Sequence, residues 1–375
     1  MSKQQTRIDE VYERSARMAE SVFRDFRDGD LPQTIRKDLR DTYDFYLDED
    51  ERKRLADMGP VQRYFVSSWL MMKSLFLKLT PVRRIILAVG FYFGADGSGL
   101  LGEPGTGNLV FAFSIVLFIL GLELKDKLLA HDELAAGRAV QIALMPPENP
   151  SFEGWDVWLH TEPANDVGGD LVDYQTLDER RFSVSLGDVA GKGLPAALFM
   201  ARLQATVRAI APSCRSLAEV GARVNEIFLR DGLPGKFASL VYMEADRNGS
   251  SLRIMNAGHL PPIVLRRDAM EVLEKGSPAI GLSLSARYNE IEVELEPMDT
   301  VVIVSDGVTE ARDEEGAFFG DERLRQALRG CHGRSAPEVG RRLLQAVSDF
   351  IGEASAHDDL SVVVLRRTPA PLLTA

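Results

Sequence analysis

The chain predicts an α+β fold over residues 148–368, and three observations carry that expectation. Nine short runs read as strands, and in most of them apolar and polar residues alternate with a period of two. Most of these runs are joined by connections of hairpin length, the clearest being Asp246-Arg247-Asn248-Gly249. Helical segments come in blocks between groups of strands, without strict βαβ alternation, which favours antiparallel sheets with helices outside them.

In order, the expected strands are Trp155–Thr161, Asp170–Gln175, Arg181–Asp188, Phe237–Glu244, Ser251–Asn256, Ile263–Leu265, Glu290–Leu295, Val301–Ser305 and Leu360–Leu365. The expected helices are Pro195–Ile210, Leu217–Leu229, Asp321–Leu328 and Pro337–Ile351. In FSVSLGDVAGKGLPAALFM, residues 182–200, Phe182, Val184 and Leu186 alternate with small residues as a strand does. Pro195 then suits the first turn of a helix. Asp188 lies at the end of that strand, before a turn that Gly191 and Gly193 allow to be tight.

The N-terminal third is organised differently. Residues 1–80 are charged and helical in pattern, with an apolar helix from Tyr64 to Leu79 that Pro81 stops or kinks. Residues 81–124 hold two uncharged runs, Ile85–Ala95 and Leu109–Leu122, around the glycine-rich DGSGLLGEPGTG. Each run is short beside the ~20 residues of a spanning helix. The charge is nevertheless asymmetric: Arg83, Arg84, Lys125 and Lys127 flank the outer ends, while the loop holds only Asp96 and Glu103. The expectation is therefore a hairpin of two segments in the inner membrane, with the N-terminal region and the C-terminal domain both in the cytoplasm. A buried dimerisation hairpin is the alternative.

Residues 125–147 read as a linker helix. Leu124, Leu128, Leu134 or Ala135, Val140, Ile142 and Leu144 form a seam compatible with a short parallel coiled coil, and hence a homodimer. Residues 369–375 are a tail.

Composition excludes several classes. Lys and Arg total 44 against 56 Asp and Glu, a net charge of -12, which argues against nucleic acid as the partner. Cys214 and Cys331 match no zinc or redox spacing. GDVAGKG lacks the four-residue glycine spacing and the Ser/Thr after Lys of a nucleotide-phosphate loop, so an ATPase is excluded.

The informative feature is the placing of the acids. Asp170 and Asp173 lie in NDVGGDLVDY, Asp188 in GDVAGKG, Asp306 in VVIVSDG, and Asp358 and Asp359 in HDDLSVVVL. Charge at the ends of buried strands is costly unless neutralised, and Lys192 is the one cation in these stretches. Oxygen donors without nitrogen or sulfur suit Mg²⁺ or Mn²⁺ rather than zinc. Two such ions sharing a carboxylate and a water make a hydrolytic site for phosphate esters.

VGGDLVDY, GDVAGKGLPAAL, NAGH, VSDGVTEA and HDDLSVVVL resemble the successive signatures of the PPM superfamily of metal-dependent serine/threonine phosphatases. They are most similar to its bacterial branch, typified by the sporulation stage II E phosphatase and by stress-response regulators acting on anti-sigma-factor antagonists. The resemblance covers Glu133 to Arg367. It implies two antiparallel sheets packed face to face with helices outside, and a phosphorylated protein as substrate.

By the same resemblance Asp188 bridges two Mn²⁺ or Mg²⁺ ions, with the Val189 carbonyl assisting one. Asp170 serves the second ion, while Asp306 and Asp358 hold the first. Asp359 is the neighbour that could serve a weaker third ion, and Asp173 is a supporting residue. Asp188 and Asp306 are thus the expected catalytic acids, acting through a metal-activated water. The proton donor to the leaving oxygen is not identified: His160, His259 and His357 are candidates by location only, and Lys192 is either a phosphate attractor or a solvated turn residue. Two rivals are a catalytically silent membrane-bound dimeric scaffold that grips a phosphorylated partner, and a nucleotide cyclase, for which base-selecting residues are missing.

Overall fold

In the computed structural model, strands with apolar residues on both faces build two stacked sheets. The structure describes residues 51, 54–55, 58–100, 104–146, 150–231, 235–247, 249–354 and 356–369. The helical expectation for residues 1–50 and the last six residues of the tail lie outside them. The chain divides into two compact units, 1–127 and 128–375.

The described part of the first unit holds α1 (Pro60–Lys78), α2 (Pro81–Gly97) and the start of α3 (Thr106–Leu144). Pro60 and Pro81 open the first two helices, where a missing N–H costs nothing. α2 packs against the start of α3. Gly90 admits Ile115, since a Cβ there would stand 2.9 Å from the Ile115 Cγ2. Phe93 meets Phe111 edge to face at 5.0 Å, and Arg83 closes the open end with contacts of 2.6 Å to both Glu123 and Asp126. α3 is one helix of 39 residues that includes the second apolar run and most of the expected linker helix. Among the described residues it is the one helix long and apolar enough to cross a membrane.

The second unit is a four-layer α+β fold. One sheet has the order β1-β2-β11-β10-β7-β8, with β1 Ser151–Phe152, β2 Trp155–Glu162, β7 Ile263–Leu265, β8 Met270–Val272, β10 Thr300–Val304 and β11 Leu360–Arg367. The other has the order β3-β4-β5-β6-β9, with β3 Leu171–Thr176, β4 Arg181–Val189, β5 Ala238–Asp246, β6 Ser251–Ala257 and β9 Ile291–Glu294. Every pairing is antiparallel. The helices of this unit are α4 (Leu194–Ile210), α5 (Leu217–Asp231), the single turn α6 (Asp306–Thr309), α7 (Gly320–Leu328) and α8 (Ala336–Ile351).

Period-two alternation sorts side chains between layers. Val301 and Ile303 of β10 and Val363 and Leu365 of β11 enter the core between the sheets, with Val184 and Leu186 of β4. Their neighbours Val302, Val304, Val362 and Val364 face outward under α7 and α8. On the other sheet, Leu240, Tyr242 and Met255 are covered by Leu203 and Val207 of α4 and by Val220 and Val224 of α5. A strand covered on both faces reads as a run of valines, as β10 and β11 do. All nine expected strands and four expected helices are present, with ends moved by one or two residues. The short β1 and β8 were not expected, because two or three residues carry no legible period. Cys214 and Cys331 are buried free thiols.

Candidate metal centre

The acids gather at one edge of the sandwich. Asp188 is the penultimate residue of β4, while Asp306 opens α6 directly after β10 and its N-cap Ser305. Asp358 and Asp359 lead into β11, and Asp170 immediately precedes β3. Both sheets therefore contribute.

Glycine permits the convergence. A Cβ on Gly168 would lie 2.5 Å from Asp359 Oδ2, and one on Gly307 would lie 2.1 Å from the Asp359 carbonyl oxygen. The glycines of VGGD and SDG are thus the places where two chain segments press against HDD.

Asp359 itself faces backbone. Its Oδ1 accepts from the Ala164 N–H at 2.9 Å, and its Oδ2 accepts from those of Gly169 at 2.6 Å and Asp170 at 3.3 Å. The Val189 carbonyl lies beside the same turn, 3.3 Å from where a Gly169 Cβ would stand.

The electrostatics follow from crowding. Asp188 is pushed up to about 6, by burial first and then by the charges of Asp306, Asp358 and Asp359. Asp306 is raised by burial, Asp358 and Glu310, with Lys192 partly compensating. Asp170 is raised well above the ordinary range, by burial and by Asp188 and Asp359, despite the nearby Ser361 and Ser305 hydroxyls. It is 4% exposed, and its Oδ2 has no hydrogen-bond partner among the described residues. Lys192 spans the turn, with Nζ 2.9 Å from Asp358 Oδ2 and donating to the His357 carbonyl at 2.6 Å.

Asp188 and Asp306 line a cleft of about 550 Å³ with Ser239, His259, Lys275 and Glu310. Asp188 also lines a small hollow with Gly169, Lys192, Asp358 and Asp359. Among the described residues no three acids, histidines or cysteines stand as a group that could hold a metal ion. The oxygen-only donor set, its raised proton affinities and the orphaned Asp170 oxygen nevertheless fit a hard divalent cation, which would supply the missing positive charge.

The remaining expected residues fall elsewhere. Asp173 is clamped by Arg208 through two bonds of 2.7 and 2.6 Å. His160 stacks on Trp158 in β2, away from the cleft lining. His357 is exposed. His259 is buried in the cleft wall beside Ser239.

Two groups escaped the sequence reading. Ser239 accepts the Asp188 N–H at 3.2 Å, and no pattern in LVYMEAD or its approach marks it. Gln141, near the end of α3, exchanges two hydrogen bonds with Gly168; its one signal was a polar residue within the otherwise apolar VQIAL.

Residues 178–368 match the family described as Stage II sporulation protein E (SpoIIE). The chain is similar to Protein IcfG of Synechocystis, at 24% identity over 300 residues covering 72% of this chain and 46% of that one. It is also similar to the phosphoserine phosphatase RsbU of Bacillus subtilis, at 26% identity over 249 residues covering 65% and 72%. The chain thus spans less than half the length of IcfG. Among solved structures, the SiaA-PP2C domain of Pseudomonas aeruginosa superposes with a TM-score of 0.57 at 22% identity, covering 64% of this chain and 98% of that one. At that identity the match establishes the fold, which is the PP2C fold.

Proposed function

The chain belongs to the Stage II sporulation protein E (SpoIIE) family of PP2C-type serine/threonine phosphatases, and on that premise we propose that it hydrolyses phosphoserine or phosphothreonine on a bacterial signalling protein. The observation that carries this is the cleft lined by Asp188 and Asp306, where burial and neighbouring carboxylates raise both acids and Lys192 compensates Asp306 only in part. Asp188, Asp306 and Asp358 are the residues to hold one divalent ion, and Asp170, Asp188 and the Val189 carbonyl the second. Mn²⁺ or Mg²⁺ bound there supplies an activated water and neutralises the phosphoryl oxygens. Asp359, with both oxygens taken by backbone amides, keeps the Gly168-Gly169-Asp170 turn against β11 rather than serving a third ion. Lys275, on the cleft rim, is placed to attract the phosphate dianion.

The preferred substrate class, which the resemblance of the motifs implies, is a phosphorylated anti-sigma-factor antagonist, and the likeness to the phosphoserine phosphatase RsbU supports phosphoserine as the group removed. The α2–α3 hairpin anchors the chain in the inner membrane, supported by the apolar length of α3 and the charged outer ends. The exposed Leu124, Leu128 and Ile142, which share one face of α3, support α3 as the seam of a homodimer. Through Gln141 the same helix reaches the turn bearing Asp170, so a signal moving α3 alters how that acid is presented.

The test is hydrolysis of an aryl phosphate by the detergent-solubilised full chain. Mn²⁺-dependent turnover that disappears in Asp188→Asn and Asp306→Asn supports the assignment. Absence of turnover, with retained binding of a phosphorylated partner, leaves the scaffold instead.

A further inference from the structure

Gly258 and His259 of the Asn256-Ala257-Gly258-His259 turn line the same cleft as Asp188 and Asp306, and the shape of the turn is determined several times over. Asn256 reaches around it, Oδ1 accepting the His259 N–H at 2.9 Å and Nδ2 donating to the His259 carbonyl at 3.1 Å. Gly258 has φ of +74°, and a Cβ there would stand 2.8 Å from the Ala279 backbone nitrogen. What this turn holds in place is one imidazole, 8% exposed.

That ring is tied to the strand that carries Asp188. Its Nδ1 lies 2.7 Å from Ser239 Oγ, and the same Oγ accepts the Asp188 backbone N–H. A serine oxygen already accepting from an amide has its own proton to give. Donated to Nδ1, it leaves the ring proton on Nε2. Nε2 is buried with no hydrogen-bond partner among the described residues. The ring therefore hangs from the strand that delivers Asp188 and lines the cleft that Asp306 also lines.

Packing alone does not account for a histidine here. An apolar side chain would fill the space without burying an unsatisfied nitrogen. Nor does charge account for it, because burial lowers the ring to about 4 and keeps it neutral. What remains is directional hydrogen bonding to the serine that fixes the Asp188 backbone.

We propose that His259 is a positioning residue for the metal-binding carboxylates, fixing the Asp188 backbone through Ser239. This rests on the reading of Asp188 and Asp306 as metal ligands. The experiment is calorimetric titration of the full chain with Mn²⁺, alongside thermal unfolding in EDTA. The variants are Ser239→Ala, His259→Phe, the double variant, and His259→Asn, whose amide places a polar atom near the position of Nδ1.

Ser239→Ala and His259→Phe are each expected to weaken Mn²⁺ binding about tenfold, as loss of a group supporting a ligand does. The double variant should be no weaker than the worse single one, because the two act as one chain of bonds. His259→Asn should recover most of the affinity. Wild-type affinity in Ser239→Ala or His259→Phe overturns the inference, as do additive losses in the double variant or an Asn variant as weak as Phe. If His259→Phe does not fold, Ser239→Ala and His259→Asn decide by the same criteria. Failure of the wild-type chain to bind Mn²⁺ removes the metal-centre reading and this inference with it, an outcome distinct from tight binding in every variant.

Discussion

Gln141 and Gly168 exchange two hydrogen bonds: the Gln141 Nε2 donates to the Gly168 carbonyl at 2.8 Å, and the Gly168 N–H donates to the Gln141 Oε1 at 3.1 Å. Gly168 is two residues from Asp170, so the end of α3 grips the turn that carries a candidate ligand. A second bond, from Gln204 of α4 to the Leu144 carbonyl at 2.8 Å, secures the helix end.

Gln141→Ala leaves two buried backbone groups of Gly168 unpaired, which is expected to cost about 1–3 kcal/mol in urea unfolding. If the grip also governs the site, Mn²⁺-dependent hydrolysis should fall by about fivefold or more at saturating substrate, the range of an ordinary coupling energy. A stability loss with hydrolysis unchanged would confine Gln141 to architecture.

Removing the charge of Asp188 should stabilise the metal-free fold. Its carboxyl is raised to about 6 from 3.8, so the folded chain binds that proton more tightly than the unfolded chain does. Its ionisation therefore opposes folding above about pH 6, and this penalty fades as the pH falls towards 4. In EDTA at pH 7, Asp188→Asn is expected to be more stable than wild type by ~1–3 kcal/mol. The gap should close between pH 6 and pH 4. His259, lowered to about 4, titrates with the opposite sign, but it is present in both proteins and cancels in the difference. A gap that is absent at pH 7, or that widens on acidification, contradicts the crowding described here.

Metal should reverse that order. At a Mn²⁺ concentration about a hundredfold above its dissociation constant, the wild-type chain gains roughly 2.7 kcal/mol of stability by mass action. Asp188→Asn and Asp306→Asn should gain little. Differential scanning calorimetry with and without Mn²⁺ checks this, and equal upward shifts in all three proteins would place the metal elsewhere.

Gly340 of α8 lies directly on Trp158 of β2. A Cβ at Gly340 would fall 2.0 Å from the indole ring, so Gly340→Ala must push the helix off the sheet. The expected cost is about 3 kcal/mol, at the upper end for overpacking. Urea unfolding of the metal-free protein reads it directly, and an unchanged midpoint would mean that α8 does not seat on Trp158.

The amino-acid sequence by itself determined nine of the eleven strands and the four longer helices described in the second unit, because a period of two or of 3.6 is local information. It also marked the acids in VGGD, GDVAGKG, SDG and HDD, since charge set against apolar strand residues is legible without coordinates. Tertiary structure alone decided what each acid faces. Asp359 binds the amides of Ala164 and Gly169, 195 and 190 residues away, and so differs in surroundings from its neighbour Asp358. Ser239 acquires its place beside Asp188 only because β5 pairs with β4, and Gln141 meets Gly168 only because α3 docks at the rim. A hydrogen bond depends on distance and angle between groups that folding brings together, and no periodicity in the chain records either.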